Sequence, residues 1–265
     1  KRGKMMQIKL FKKKKYVSGL FAFHTDVGRV RINNEDQATA LTNAYGNTML
    51  VVCDGMGGQN KGDFASNLAI SCITDSFNSA RKFLNSWHAR YWLVGALRNA
   101  NATVFNEASK NAAYNGMGTT ISVALIYHDK LITAQVGDSR IYRLNEASGV
   151  EQLTEDQTYV GYLYRTGQIT KEEMKTHPKR HMLMNALGIY PSINVDIKVF
   201  PYIDETLLLC SDGLYNNVTE TTMTSILRGD DTPEQKVMEL ISIGNSNGGS
   251  DNLAAVVWEA KHYGD

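Results

Sequence analysis

Short apolar runs that end in an acidic turn recur along the chain. They span residues 48–53, 132–137 and 207–211, and each is followed directly by an aspartate, at Asp54, Asp138 and Asp212. Their length and their content of β-branched residues predict buried strands. The same criteria predict further strands at residues 37–41, 119–127, 130–136, 140–144, 194–200 and 253–259.

Two stretches instead repeat apolar residues at a spacing of three to four, which is the period of an amphipathic helix. They run from residue 62 to about 84 and from 87 to about 113, and because they are adjacent we expect an antiparallel helical pair. A second pair is predicted at 220–227 and 233–243, where Thr232-Pro233 provides a helix start. Strands grouped between two helical pairs, without strand–helix alternation, indicate an α+β protein with antiparallel sheets.

Residues 154–181 break this pattern. They are polar and mixed, with a short helical segment at 170–175, and we expect them to form a mobile segment over a site. The chain shows no internal repeat, and its 265 residues are 43% hydrophobic and 21% charged, as in an ordinary globular protein. We therefore predict a single domain over residues 18–262, with residues 154–181 as a flap.

The net charge of +1 conceals an uneven distribution. Residues 1–15 hold eight Lys or Arg and no acid, which leaves 20 basic against 27 acidic residues, or −7, in the rest of the chain. We expect residues 1–17 to be a solvated basic leader, partly derived from a cloning vector because the sequence starts at Lys1, and not a nucleic-acid or lipid-binding arm. No apolar run is long enough for a membrane span or a signal peptide.

Cysteine spacing and glycine motifs exclude several classes of site. Cys53, Cys72 and Cys210 include no C-x-x-C pair, so we expect reduced thiols in the cytoplasm and neither disulfides nor a structural zinc site. The glycine-rich loop 54–62 fails both the P-loop and the dinucleotide templates. Residues 79–82 and 250–252 resemble two β-lactamase motifs, but the third motif of that class is missing.

Acidic residues share one context along the chain. Asp54, Asp138 and Asp212 follow strands, Asp251 precedes one, and Glu35 with Asp36 precedes another. Any one of them is more often a turn residue, but carboxylates gathered at strand ends would repel one another unless a hard cation such as Mg²⁺ or Mn²⁺ held them. Arg29 lies six residues before Glu35, where its guanidinium would suit a phosphate.

Seven short motifs then occur in one order. They are Asp26-Val27-Gly28-Arg29 with Asn34-Glu35-Asp36, Asp54-Gly55-Met56-Gly57-Gly58, Gly118-Thr119-Thr120, Gly137-Asp138-Ser139-Arg140, Ala186-Leu187-Gly188, Ser211-Asp212-Gly213 and Ser250-Asp251-Asn252. In this order they resemble the metal-dependent Ser/Thr protein phosphatases (type 2C, PPM) in their compact bacterial form. The resemblance covers residues 18–260 and implies a four-layer αββα sandwich, with two antiparallel sheets flanked by helical pairs.

The resemblance also implies roles for these residues. Asp54 would bridge two Mn²⁺ or Mg²⁺ ions, with the Gly55 carbonyl and Glu35 on the second ion and Asp212 and Asp251 on the first. Asp138, with Asp212, would bind a third ion. Arg29 would hold the phosphate, and Asp36 would organise the metal-bound water.

The implied reaction is hydrolysis of phosphoserine and phosphothreonine on proteins, by direct attack of a water or hydroxide that bridges the metals. The enzyme would be a cytoplasmic monomer that reverses a Ser/Thr kinase, with phosphoproteins and no nucleic acid as partners. The alternative is a catalytically silent module on the same fold that recognises phosphoproteins or a regulator. The intact ligand set argues against it.

Two positions depart from the family pattern. Eukaryotic members often carry a proton-donating histidine where this chain has Met56, and a thioether cannot donate a proton. We expect water on the third metal, at Asp138, to supply the proton instead. Gln157 stands where the family often has histidine, which argues against a proton role there. His24, His88, His128 and His262 lie in no motif and are interpreted as structural or surface residues.

Overall fold

A computed structural model describes residues 18–57 and 61–260. The predicted leader at 1–17, the loop residues 58–60 and His262 lie outside the described residues. In the described residues no helix is both long enough and apolar enough to span a bilayer.

Two antiparallel sheets face each other. The first has the order β1 (Gly19–Asp26), β11 (Leu253–Ala260), β10 (Leu207–Cys210), β7 (Arg140–Asn145) and β8 (Gly149–Gln152). The second has the order β2 (Asp36–Thr42), β3 (Thr48–Met56), β5 (Ile121–Tyr127), β6 (Lys130–Val136) and β9 (Asp196–Pro201), and β4 (Gly118–Thr119) pairs with the end of β3.

Helices cover both outer faces. On the second sheet lie α1 (Gly62–Asn78) and α2 (Ser86–Lys110), followed by a 3₁₀ turn at Ala112–Tyr114. On the first sheet lie α5 (Asp212–Tyr215), α6 (Glu220–Arg228) and α7 (Pro233–Ser246). The flap contributes α3 (Tyr159–Arg165) and α4 (Lys171–Thr176). The predicted α+β class and its four-layer αββα arrangement are confirmed.

Strand alternation builds three apolar layers from this order. Along β3, Met49 and Val51 face α1 and α2, whereas Leu50 and Val52 face the opposite sheet. This is the expected result of a side-chain period of two in strands that are covered on both faces. The continuous apolar runs in the sequence therefore mark central strands, buried on both sides.

Two helix ends show how far the local sequence fixes where a helix begins or ends. Thr232 forms a capping box with Gln235, and Pro233 is the first helical residue of α7, as predicted. In contrast, α1 ends at Asn78, six residues before the predicted end. The amide and hydroxyl of Ser79 bond to the carbonyl of Asp75, and Phe83 packs on the core from a loop.

Strand β1 was not predicted. It is an edge strand whose residues are mostly only partly buried, with Leu20 and Phe23 exposed, so its sequence lacks a clean apolar run. Its pairing with β11 runs from Gly19 opposite Ala260 to Asp26 opposite Leu253. This pairing brings residues 26–35 to the same end of the sandwich as Asp251.

Candidate metal centre

The predicted carboxylates lie at one end of the sandwich and come from both sheets. Asp36 is the first residue of β2 and pairs with Asp54 near the end of β3. Asp212 directly follows β10 as the first residue of α5, and Asp251 lies two residues before β11. Asp138 follows β6. Sheet register therefore brings together acids that are up to 215 residues apart in the chain.

The backbone of Asp54 is held by the threonines that enter β5. The Asp54 amide donates to Thr120 Oγ1 at 3.0 Å, and the Asp54 carbonyl accepts from the Thr120 amide at 2.8 Å and from Thr119 Oγ1 at 3.0 Å. Among the described residues, no donor reaches the Asp54 carboxylate. A fixed backbone thus presents a carboxylate whose oxygens are free to bind a cation.

Glu35 is held close to Asp54 by hydrogen bonds with the backbone amides of two glycines. The Glu35 carbonyl accepts from the Gly55 amide at 3.0 Å, and Glu35 Oε1 accepts from the Gly62 amide at 3.2 Å. A Cβ on Gly55 would lie 2.2 Å from the Gly62 carbonyl oxygen, so no larger residue fits there. Gly55 and Gly62 allow close backbone approach around Glu35, which explains glycine at these two positions of a loop that fits neither nucleotide template.

Asn252 connects the two halves of the centre, and sequence reasoning assigned it no role. Its Oδ1 accepts from the Glu35 amide at 2.9 Å, and its Nδ2 donates to the carbonyls of Val27 and Asn33 at 2.8 and 2.9 Å. A Cβ on Gly213 would lie 1.9 Å from the Asn252 carbonyl oxygen. One amide side chain therefore positions the loop 27–35, and with it Glu35, against the start of β11.

Asp36 is the most enclosed of these acids, with 1% of its surface exposed. Its Oδ2 accepts from Ser211 Oγ at 2.5 Å, and that hydroxyl in turn accepts from the Ala254 amide at 2.9 Å. Burial raises the pKa of Asp36 to about 8, against the opposing effect of the Ser211 hydrogen bond, and the charges of Asp212 and Asp251 raise it further.

Burial also raises the pKa of four further acids of the centre. Burial, followed by repulsion from neighbouring carboxylates, raises the pKa of Asp54 and of Asp138 well above the ordinary value and that of Asp212 to about 6. Burial also raises the pKa of Glu35, although the Gly62 hydrogen bond opposes the shift. Within the described ranges, no three Asp, Glu, His or Cys side chains form a closed metal cage. The donors are nevertheless hard oxygens that repel one another, which suits Mg²⁺ or Mn²⁺.

The two arginines of the loop differ in their surroundings. Arg29 is exposed, and its amide donates to the Gly249 carbonyl at 2.8 Å, but in the described residues its guanidinium makes no ion pair with the predicted ligands. Arg31, which was not predicted, places Nη2 2.8 Å from Asp251 Oδ2. Its charge also acts on Glu35 and Asp36. The sequence offered one indication of this role, which is that Arg31 is closer to Glu35 along the chain than Arg29 is.

The flap is tied to the residues around Asp138. Gln157 Oε1 accepts from the Gly137 amide at 2.9 Å and from Asn185 Nδ2 at 2.8 Å. Gln157 is therefore a connector between the flap and the turn before Asp138. A cleft of about 490 Å³ opens beside it, lined by Glu155, Tyr162, Arg165, Asn194 and Asp196 among others.

Arg140 and Asp156 form a partly buried ion pair behind this turn. Their closest approach is 2.6 Å between Arg140 Nη2 and Asp156 Oδ2, and the guanidinium lies 3.6 Å from the centre of the Tyr215 ring. At the mouth of the site, His181 Nδ1 is 3.9 Å from Asp212 Oδ2. The flap thus contacts the centre both behind Asp138 and next to Asp212.

Comparisons with known proteins place the chain in one family. The family model described as Protein phosphatase 2C matches residues 27–256. The serine/threonine phosphatase stp of Listeria monocytogenes is 38% identical over 238 residues, which cover 89% of this chain and 94% of that protein. Protein phosphatase PhpP of Streptococcus pneumoniae is 33% identical over 242 residues, which cover 88% and 94% respectively.

Solved structures show the same similarity. The serine/threonine phosphatase Stp1 from Staphylococcus aureus superposes with a TM-score of 0.87 at 31% identity, over 96% of this chain and all of that one. The catalytic domain of the phosphatase PstP, in complex with two manganese ions, superposes with a TM-score of 0.80 at 29% identity, over 92% of this chain and 99% of that one.

Proposed function

The chain belongs to the protein phosphatase 2C family, and on that basis we propose that the carboxylates at one end of its sandwich hold the divalent cations of a protein serine/threonine phosphatase. The proposal is carried by the set of mutually repelling carboxylates, four of whose pKa values burial raises. The catalytic interpretation is favoured over a silent binding module, because the relatives carry phosphatase names and this chain retains every predicted ligand.

We assign the ligands as the sequence motifs suggest. Asp54, Glu35 and the Gly55 carbonyl would hold one cation, and Asp54, Asp212 and Asp251 would hold the other. Asp138, with Asp212, is a candidate for a third. Support for two comes from the bound manganese ions of PstP, and Mn²⁺ and Mg²⁺ both suit an all-oxygen donor set.

When bound, the cations would activate water for direct attack on phosphorus and neutralise the phosphoryl charge. The protein would supply orientation. Asp36, buried and bonded to Ser211, would accept a hydrogen bond from the attacking water and orient it. Neither Cys53 nor Cys210 is suited to act as a nucleophile. Burial raises the pKa of both thiols and keeps them protonated and unreactive.

For phosphate binding we propose Arg31 in preference to Arg29. Arg31 lies beside Asp251 and its side chain is half exposed, so its guanidinium can meet an incoming phosphoryl group from solvent. A planar guanidinium offers two parallel donors to phosphoryl oxygens. The role of Arg29 in phosphate binding remains untested. A comparison of Arg29→Ala with Arg31→Ala decides between the two residues.

The proton for the leaving serine or threonine oxygen needs another source than Met56, whose thioether carries none. Asp138 remains our predicted locus for that step. The expected phenotype of Asp138→Ala is a large loss of turnover on phosphoserine peptides and a smaller loss on an aryl phosphate, whose leaving group needs little protonation. Equal losses on both substrates would remove Asp138 from this role.

Substrates and partners follow from the activity. We propose phosphoproteins as substrates, a Ser/Thr kinase as the functional counterpart, and a monomer acting in the cytoplasm. The free thiols of Cys53, Cys72 and Cys210 are consistent with a reducing compartment.

The experiment measures turnover of a phosphothreonine peptide with Mn²⁺. We expect Asp212→Asn to reduce turnover by at least a thousandfold and a chelator to abolish it, while the thermal unfolding midpoint of the variant stays near that of wild type. Asp75→Asn, an exposed aspartate on α1, is the matched control and should retain full activity. Full turnover by Asp212→Asn would refute the assigned site.

A further inference from the structure

The α1–α2 connection lies at the end of the sandwich opposite the metal centre. Helix α1 starts at Gly62, next to Glu35, and its 17 residues carry the chain about 25 Å away at 1.5 Å per residue. The connection is anchored there by Tyr127, the last residue of β5, whose hydroxyl donates to the Phe83 carbonyl at 3.2 Å. Residues 79–91 are thus remote from the catalytic machinery.

This corner exposes large apolar side chains. Leu84 is 79% exposed, and Trp87 and Tyr91 are each 69% exposed. Trp87 and Tyr91 lie four residues apart on one face of α2 and stack with their ring centres 5.8 Å apart. Grouped exposure of this kind marks an interaction surface more often than chance.

The same corner is basic on an otherwise acidic body. Between Asp75 and Glu107 the sequence contains Arg81, Lys82, Arg90 and Arg98 but no acidic residue. All four are exposed, and none forms an ion pair with any described residue. Their charge is therefore available to an anionic partner.

The shape of the corner limits what that partner can be. These residues line neither the cleft beside the flap nor the smaller cleft beside α6, and Leu84, Trp87 and Tyr91 are exposed to solvent. Projecting Trp and Tyr rings beside unpaired Lys and Arg match the headgroup region of an anionic bilayer, where aromatic rings settle at the interface and basic side chains meet lipid phosphates.

We propose that the α2 corner, defined as Arg81, Lys82, Leu84, Trp87, Arg90 and Tyr91, docks the enzyme on the surface of a bilayer that contains anionic phospholipid. Docking through this corner leaves the metal centre at the far end of the molecule, open to phosphoproteins at the membrane surface.

The test uses the full chain and sedimentation with vesicles of phosphatidylcholine alone or with about one-third phosphatidylglycerol. We expect binding only to the anionic vesicles, weakened by salt. Loss of one basic residue near the surface should weaken partitioning about fivefold, so Arg81→Ala/Lys82→Ala should weaken it about thirtyfold. Trp87→Ala/Tyr91→Ala should weaken it at least tenfold. The matched controls are Lys171→Ala/Lys175→Ala on α4 and Tyr190→Ala, all exposed and outside the corner.

Two further readouts keep the proposal independent of folding and of the phosphatase site. The emission of Trp87 should shift to shorter wavelength with anionic vesicles, and Trp87→Phe should lose the shift, because Trp258 is buried and Trp92 packs against Phe77. Turnover of a soluble phosphopeptide should be the same in wild type and corner variants, with or without vesicles.

Several outcomes would overturn the proposal. Failure of the wild type to bind anionic vesicles would do so, as would equal binding to neutral ones. Unchanged binding by both corner variants would assign any affinity to another part of the chain. A dimer that Trp87→Ala/Tyr91→Ala converts to a monomer, with vesicle binding intact, would identify a second copy of the chain as the occupant.

Discussion

Replacement of Arg31 by alanine, compared with the same change at Arg29, is the most direct test of how this enzyme holds phosphate. Both residues belong to one exposed loop, yet only Arg31 makes an ion pair with a predicted metal ligand, 2.8 Å from Asp251. The two variants remove the same charge from positions two residues apart. A difference in activity between the two variants therefore reflects the position of the lost arginine and not the change in net charge.

The expected magnitudes follow from exposure and from the chemistry of the bond. The side chains of Arg31 and Asp251 are 48% and 36% exposed, so solvent screens the pair and its loss should cost at most about 1 kcal/mol of folding free energy. Loss of a charged donor aimed at the reacting phosphoryl group costs about 2.7–4 kcal/mol in the transition state, or a 10²–10³-fold fall in kcat/KM. We expect Arg29→Ala to stay within threefold of wild type.

The assay is steady-state turnover of a phosphothreonine peptide over a range of Mn²⁺ concentrations. Arg31→Lys should fall between wild type and Arg31→Ala, because an ammonium keeps the charge but not the paired donors. The Mn²⁺ concentration for half activation should not rise in Arg31→Ala, because Asp251 loses a competing cation. The reasoning is refuted if Arg29→Ala is the more damaging change, or if excess Mn²⁺ restores Arg31→Ala.

Three further predictions concern stability as well as activity. Asp54→Asn should abolish turnover yet raise the thermal midpoint of the chelated protein, because the raised pKa of Asp54 means that its ionised form destabilises the fold. In chelator, the thermal midpoint should fall as pH rises from about 4 to about 8. The reason is that burial raises the pKa of Asp36 to about 8 in the folded protein, against about 3.9 in the unfolded chain. Saturating Mn²⁺ should remove that pH dependence. Gly213→Ala should lower the free energy of unfolding by about 1–3 kcal/mol in urea titrations, since its Cβ would lie 1.9 Å from the Asn252 carbonyl oxygen.

Each of these has a contrary result. A lower midpoint for chelated Asp54→Asn would mean that the carboxylate stabilises the fold. Stability that does not change between pH 4 and 8 would mean that Asp36 is ionised in the folded protein throughout that range. Gly213→Ala with wild-type stability would mean that α5 moves away from Asn252 at no cost, and Gly95→Ala, where a Cβ meets open space, is the control expected to leave stability unchanged or to raise it.

Much of the fold was predictable because the buried residues of its central strands and helices recur at a regular spacing in the sequence. The runs that became β3 and β10 are apolar almost throughout, since helices cover one face of each strand and the other sheet covers the second. The edge strand β1 was missed because its partial burial leaves no such run. Helix α1 was predicted six residues too long, because Phe83 packs on the core from a loop and not from the helix.

The sequence by itself determined the element types, the acidic residues at the strand ends and, through the order of seven motifs, the family. Those features depend on local periodicity and on short runs of neighbouring residues. Tertiary structure alone decided that Arg31 and not Arg29 pairs with Asp251, and that Asn252 joins the loop 27–35 to β11. These contacts join residues more than 200 positions apart, and only sheet register sets which side chains meet across such a distance.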